Sequence, residues 1–447
     1  TVDRHAYPVA RKVTTVSPPP QVAVIGAGWA GLAAAIQCVQ QGYEVTVYDT
    51  AGDPGGRARV VERPDGAIDN GQHILIGAYA QTLELLRTVH VDPEQVLMRR
   101  PLSLVDSRGV GLELRKHRHL GDVLAALWRH PTWPLKAKVS LMSHSLQWWR
   151  RGFQCDASTT VQMLCQRLAP VVFDELIEPL CLAALNTPAH EASGSLFLQV
   201  LKDSVFGPAG ACDLLLPCVH LSALLPHPAS KWLASRGVRL HYGTRVQSLE
   251  REGTQPGPIG AWRVDGEPFD AVVLACTSTE AARLTRSIAP LWSQQAQLLS
   301  FETIATAWVQ CPGLRLANPM TMLRTGPAQF IFDHGQLGGR YGQLTLVASA
   351  AHRYDHLSNQ ELGDLMAKQV AEELLDGQNA LPHLRYVLRD RRATWVASAG
   401  LTRPSARVAQ GLWAAGDYVD GPYPSTLEGA VRSGLAAAQA VLRNDTR

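Results

Sequence analysis

Three glycines, Gly26, Gly28 and Gly31, stand in the order G-x-G-x-x-G with Ala30 inside the repeat, and Asp49 follows 23 residues after Gly26. That spacing suits dinucleotide binding. Gly26 makes a tight turn, Gly28 lets the backbone approach a diphosphate, and Gly31 lets a helix pack close to a strand. Ala30, inside the repeat, is expected at the cofactor with them. Asp49 is placed to accept hydrogen bonds from a ribose diol. Just downstream, Gly55-Gly56-Arg57-Ala58-Arg59 sets two arginines at alternate positions behind a pliable bend. A guanidinium fork can hold two phosphate oxygens at once. A solvated turn would carry the same residues; the fingerprint just before it favours phosphate.

The elements that must position these groups are legible around them. Residues 22–25 are an apolar run of strand type, 32–40 read as a helix, and 45–48 return as a second strand that Asp49 closes. A chain of 447 residues is too long for one small core and implies two or three domains. A net charge of +3 without basic runs argues against nucleic acid as a partner. The eight cysteines form no C-x-x-C pair. They read as reduced, mostly buried thiols of a cytoplasmic protein, neither metal ligands nor a disulfide framework. No apolar run reaches the ~18 residues of a membrane span. Residues 1–20 end in three prolines and read as a flexible leader.

Two further stretches continue the theme. Residues 66–73, which include Asp69, Asn70, Gly71, Gln72 and His73, run into an apolar strand at 74–76. Near the other end, 411–415 is a strand leading into Gly416-Asp417. Pro424-Ser425-Thr426-Leu427-Glu428-Gly429 then opens a small-residue helix, with a Ser/Thr cap and an acid in its first turn. Gly429 and Gly434 also suit close helix packing.

Together these motifs resemble the large FAD-dependent family of amine oxidases, phytoene desaturases and protoporphyrinogen oxidases. The resemblance implies FAD rather than NAD as the bound nucleotide. It implies that Gly56, Arg57, Arg59, Gly71 and His73 lie at the cofactor, and that Asp417, beside Gly416, meets the ribityl-diphosphate. The helix start at Thr426, Leu427 and Glu428 would face the flavin pyrimidine edge, where reduction places negative charge. The backbone of Val246 would meet the adenine, although the sequence itself does not set Val246 apart from any buried valine. The fold implied is α/β: a Rossmann-like, three-layer FAD-binding domain with an inserted α+β substrate domain. Residues 20–85, 205–285 and 400–447 would make the discontinuous FAD domain; 86–204 and 286–399 would supply a helical insert and an antiparallel sheet. With one fingerprint only, a second nicotinamide domain is not expected, so electrons come from an external donor.

Within the inserts, 123–153 is helical in pattern, broken at Pro131 and Pro134, and carries Trp128, Trp133, Trp148 and Trp149 among Arg129, Lys136, Lys138, Arg150 and Arg151. Peripheral contact with a membrane explains that mixture, and so does a core helix with a solvated face. Strands are expected at 304–310, 329–332, 343–350 and 386–395. The stretches 173–188, 192–197, 213–217 and 221–232, with 69–73, are similar to the squalene-associated branch of the family, the hydroxysqualene dehydroxylases of bacterial squalene and hopanoid synthesis. That likeness implies a C30 isoprenoid alcohol as substrate, reduced to squalene by hydride from reduced flavin with loss of water. An apolar pocket disfavours a free hydroxide, so an acid is needed. His73 is the first candidate, because imidazole takes up a proton near neutral pH; a histidine here could equally serve only to hydrogen-bond the cofactor. Asp420, Tyr423 and Glu178 are further candidates. Two other readings share the same frame: a carotenoid-type desaturase running on oxidised FAD, and a non-catalytic FAD-bearing lipid-binding protein. The expected location is cytoplasmic, peripheral at the inner face of the membrane.

Overall fold

The structure, a computed structural model, describes residues 19–63, 66–114, 120–252, 262–375 and 382–444. The expected leader at 1–20 lies outside the described residues apart from its last two.

The strands Gln21–Ile25 and Glu44–Asp49 pair in parallel, joined by the helix Trp29–Gln40. They sit in a six-stranded sheet of order Arg239–Tyr242, Glu44–Asp49, Gln21–Ile25, Ala271–Leu274, Leu412–Ala414, Arg407–Ala409. All neighbours are parallel except the last pair. Alternation along the strands decides the layers. Val22 and Val24 bury into the core formed with the first helix, while Ala23 and Ile25 face the opposite side with Trp262, Val264 and Phe269. Those three belong to a meander, Leu249–Arg251, Trp262–Val264 and Glu267–Phe269, lying across the sheet. Helices, parallel sheet and meander make three layers. Burying each valine side chain contributes about 1.5–3 kcal/mol. The last helix, Leu427–Asn444, packs on the first so closely that a Cβ on Gly434 would stand 2.1 Å from the Ala30 carbonyl oxygen.

A second sheet is antiparallel, in the order Met320–Met322, Phe330–Asp333, Gln343–Ala348, Phe301–Gln310, His383–Trp395. Its outer face, with Ala305, Ala307, Leu344 and Leu346, packs under the helix Asn359–Leu374 through Leu362, Met366 and Val370. A capping box of Ser358 and Glu361 starts that helix. The inner face, with Thr306, Phe330, Phe332 and Val347, borders a cavity. The strands expected in 286–399 are therefore present, together with this helix and the helix Pro290–Gln297, which the sheet-like alternation of the segment does not reveal.

The other insert is helical, with Leu120–Arg129, Leu135–Arg150, a wide π-turn at Phe173–Ile177 running into Glu178–Leu185, and then Gly194–Asp203. It is not cleanly separated from the cofactor part. Leu97–Arg100 pairs with Leu214–Pro217, which in turn pairs with Leu75–Ile76. Trp133 and Trp148 are core residues at 4% exposure, whereas Trp128 and Trp149 stand 58% and 61% exposed. All eight cysteines are free.

Candidate cofactor and active site

The glycine fingerprint builds a bare helix start. Gly26 has φ +115°, and a Cβ there would lie 2.4 Å from the Ala275 carbonyl oxygen, so the turn off the first strand tolerates no side chain. Gly31 fits only because its missing Cβ would stand 1.8 Å from the Gly26 carbonyl oxygen. The helix that follows has Gly28 as N-cap, no side-chain cap and no acid in its first turn. Its opening N–H groups and positive dipole end are thereby left to a ligand anion.

The Gly-Gly-Arg loop latches onto this start. The Gly55 N–H donates to the Ala27 carbonyl at 2.8 Å, and Gly56, at φ +61°, lies so near Gly28 that a Cβ would reach its Cα at 3.1 Å. Both loops open into one cavity of about 860 Å³. It runs from Gly26, Gly28 and Gly56 past Val246 and Asp417 to the apolar inner face of the antiparallel sheet.

Most of the expected residues meet there. Gly26, Gly28, Ala30, Asp49, Gly56, Arg57, Gly71, His73, Val246, Gly416, Asp417, Thr426 and Leu427 all line the cavity. Asp49 accepts from the Ala27 N–H at 2.6 Å and the Ala51 N–H at 2.8 Å, which fixes its carboxylate at the strand end with lone pairs to spare. Arg57 does not stand as a free fork. One terminal nitrogen donates to Asp417 Oδ1 at 2.5 Å, the other to the Ala393 carbonyl at 2.7 Å. Burial works against its charge, and Asp417 more than restores it. The Val246 carbonyl accepts from Arg283 at 2.5 Å.

Five expected site residues stand off the cavity wall. Arg59 is absent from the cavity wall, because its guanidinium turns back to the Asp53 carbonyl at 2.9 Å. Glu428 is fully buried and points away, accepting from the Gln81 and Thr82 N–H groups, the Thr82 hydroxyl and Arg432. It caps the helix Ala80–Thr88, which has no side-chain cap of its own. Asp420 is exposed and outside the cavity. Glu178 also lies outside it, accepting from the Ala189 N–H at 3.1 Å, and burial raises its pKa. Gly31 is off the wall as well, as its packing role requires.

Two acid candidates remain at the cavity, and they differ. Burial lowers the His73 pKa and favours the neutral ring. Its Nδ1 lies 3.3 Å from the Gly71 carbonyl; the tautomer that donates there leaves Nε2 a lone pair and no proton to give. Tyr423 keeps its proton, because burial and Asp203 both raise its pKa. Its hydroxyl donates to Asp203 Oδ2 at 2.6 Å, and the Arg432 guanidinium lies 4.7 Å from its ring centroid. The sequence reading missed Asp203. An acid in the last turn of a helix, where the dipole disfavours it, was the available signal. Arg403 was missed too; it donates to the carbonyls of Asp417, Gly421 and Tyr423 and so pins the loop that carries both site residues. A third omission is the fork of Arg245 on Glu280 beside Val246; burial raises the Glu280 carboxyl, but Arg245 and Arg283 together outweigh it and hold the carboxyl down to about 2.

A glycine-lined helix start on a parallel sheet, a carboxylate closing the next strand, and a second helix start across the same cavity define an FAD-dependent oxidoreductase of Rossmann-like α/β fold. The chain belongs to the family of flavin-containing amine oxidoreductases, whose model matches residues 29–442. Within it, the hydroxysqualene dehydroxylase of Rhodopseudomonas palustris is 28% identical over 440 residues, covering 94% of this chain and 98% of the relative. The hydroxysqualene dehydroxylase of Sinorhizobium fredii is 26% identical over 446 residues, with 95% and 99% covered. Among solved structures, an oxidoreductase from Methanosarcina mazei shares the fold at a TM-score of 0.71 and 14% identity, covering 94% of this chain and all of that one. FAD is the cofactor that the family and the cradle agree on.

Proposed function

We propose that this flavoenzyme removes the hydroxyl of hydroxysqualene, a C30 isoprenoid alcohol, and replaces it with hydrogen to give squalene. The observation that carries the reading is the single cavity joining the nucleotide cradle to an apolar wall, with Asp203 and Tyr423 at its border. An isoprenoid chain suits the wall formed by Phe330, Phe332, Val347 and Leu388. A lone hydroxyl carried into such a space needs a partner; Tyr423 and Asp203 offer acceptor lone pairs for its proton, and the phenol becomes a donor to its oxygen on turning from Asp203.

Reduced FAD, when bound, supplies a hydride. Replacement of the substrate's hydroxyl by that hydride would release the oxygen as water once it gained one proton, and the Tyr423 hydroxyl, turned from Asp203 toward the bound alcohol, would give that proton. Asp203 orients the phenol, and Arg432 beside the ring stabilises the charge it acquires. A proton from bulk solvent then reloads Tyr423. The two electrons come from an external donor. His73 serves in this scheme as a neutral hydrogen-bonding wall group. The setting extends to peripheral contact with the cytoplasmic membrane face; among the described residues no helix is long and apolar enough to cross a membrane.

The test is anaerobic incubation of the photoreduced holoenzyme with hydroxysqualene, and of the oxidised form with phytoene. Squalene from the first and no desaturated product from the second is expected. The reverse pattern would make the protein a desaturase, and no product from either would make it a lipid-binding flavoprotein.

A further inference from the structure

The helix Leu135–Arg150 is apolar on two opposite sides. Ala137, Leu141 and Trp148 are buried and hold it to the protein. On the other side Leu135, Val139, Met142, Leu146 and Trp149 recur at intervals of four, three, four and three, all 38–61% exposed. At 3.6 residues per turn those five share one stripe, facing away from the buried side. Leu124 and Trp128 of the preceding helix are exposed as well. Of the thirteen exposed large apolar side chains among the described residues, these two helices hold seven, so the apolar surface is concentrated there.

Charge decides what would cover it. Leu135–Arg150 contains no acidic residue, while Lys136 and Arg150 are exposed on it and Arg151 follows. A second copy laid along the stripe in either direction would set cation against cation. Trp128 and Trp149 have the mixed character that places a ring at headgroup depth, with the alkyl stripe below and the cations at the phosphates. The same helical insert reaches the cavity. The Trp133 indole donates to Glu175 at 2.7 Å, and that π-turn continues into the helix whose Leu180, Ala183 and Ala184 line the cavity wall.

We infer that the exposed stripe of Leu135–Arg150, with Leu124 and Trp128, is a docking face for an anionic phospholipid bilayer, on which the protein lies without crossing. This deepens the peripheral contact proposed above by naming its surface and lipid charge. It is testable without substrate, so its failure would leave dehydroxylation standing.

The experiment is flotation of the FAD-loaded full chain with vesicles of phosphatidylcholine alone and of phosphatidylcholine mixed with phosphatidylglycerol. At least tenfold more protein should float with the anionic vesicles. Val139→Glu with Leu146→Glu, and separately Lys136→Gln with Arg150→Gln, should each lower that fraction at least tenfold while the flavin spectrum stays unchanged. Should the double glutamate variant fail to fold, the unaltered protein still decides, since raised salt should release it from the vesicles. Equal flotation with both vesicle types, binding indifferent to salt, or binding unchanged in folded variants would overturn the inference. So would a dimer in sedimentation that Val139→Glu with Leu146→Glu turns into monomer, because a second copy would then be the occupant.

Discussion

At the scale of residues, two carboxylates, Glu428 and Asp203, do unlike work. Glu428 follows Thr426 at the start of the last helix and reads from the sequence as a cofactor neighbour, yet its carboxylate crosses to cap another helix. Its direction is set by Arg432, one turn on along the same helix, and by Gln81 and Thr82, 347 and 346 residues away, which no local pattern carries. Asp203 was hidden for the same reason, since Tyr423, its partner, lies 220 residues away. The two should separate experimentally. Glu428→Ala should lower stability by about 2–3 kcal/mol in chemical denaturation, through a lost cap and unpaired buried donors. Asp203→Asn and Tyr423→Phe should keep the flavin spectrum and the fold but lose turnover by about 10²–10⁴-fold, the range of general acid catalysis. His73→Ala should lose less than tenfold if its ring only lines the wall. A larger loss with FAD retained would restore it as the proton donor.

Among elements, the strand–turn–helix–strand unit was legible because its determinants are local. Gly26, Gly28 and Gly31 act within one turn, and Asp49 acts at the end of the next strand. The helix nonetheless starts at Trp29, ahead of the apolar run at 32–40, with Gly28 at its cap. Not legible was that the Gly-Gly-Arg loop closes on the fingerprint itself. That contact gives a paired prediction. Gly56→Ala, at φ +61° and with Gly28 Cα 3.1 Å away, should purify largely without FAD. Gly52→Ala, in the same loop with nothing within 4 Å, should retain a full complement. Equal flavin content in the two would show that the loop has no part in the cradle. The helices at 123–153 illustrate the other limit. Four tryptophans among cations fit a core or a surface, and the structure divides them, Trp133 and Trp148 inward, Trp128 and Trp149 outward. Hydrophobic spacing shows a stripe, but not which of two apolar stripes finds a partner.

For the whole molecule, three layers of cofactor fold were readable from motifs at its two ends, while the interweaving of Leu97–Arg100 with Leu214–Pro217 and Leu75–Ile76 was not, since each strand is short and its pairing is long-range. Buried imidazoles give the fold a pH dependence. His73, His130 and His334 all have pKa values lowered by burial, and neither ring nitrogen of His130 has a hydrogen-bond partner among the described residues. Because their folded values lie below the unfolded value of about 6.5, their contribution is intact above that pH and is lost as pH falls through it. His220, raised by its contact with Asp69, works in the opposite direction. The unfolding midpoint should therefore drop between about pH 7 and 5, and His130→Phe should flatten the drop. A midpoint that rises over that interval would show these rings to be protonated in the fold.

The most direct measurement of the central claim is a single anaerobic turnover. Photoreduced, FAD-loaded enzyme is mixed with hydroxysqualene while the oxidised-flavin absorbance is followed and the organic phase is analysed. The account predicts that the absorbance returns and that one squalene forms for each flavin reoxidised. Flavin that stays reduced in the presence of the alcohol, or that reoxidises without squalene, would contradict it.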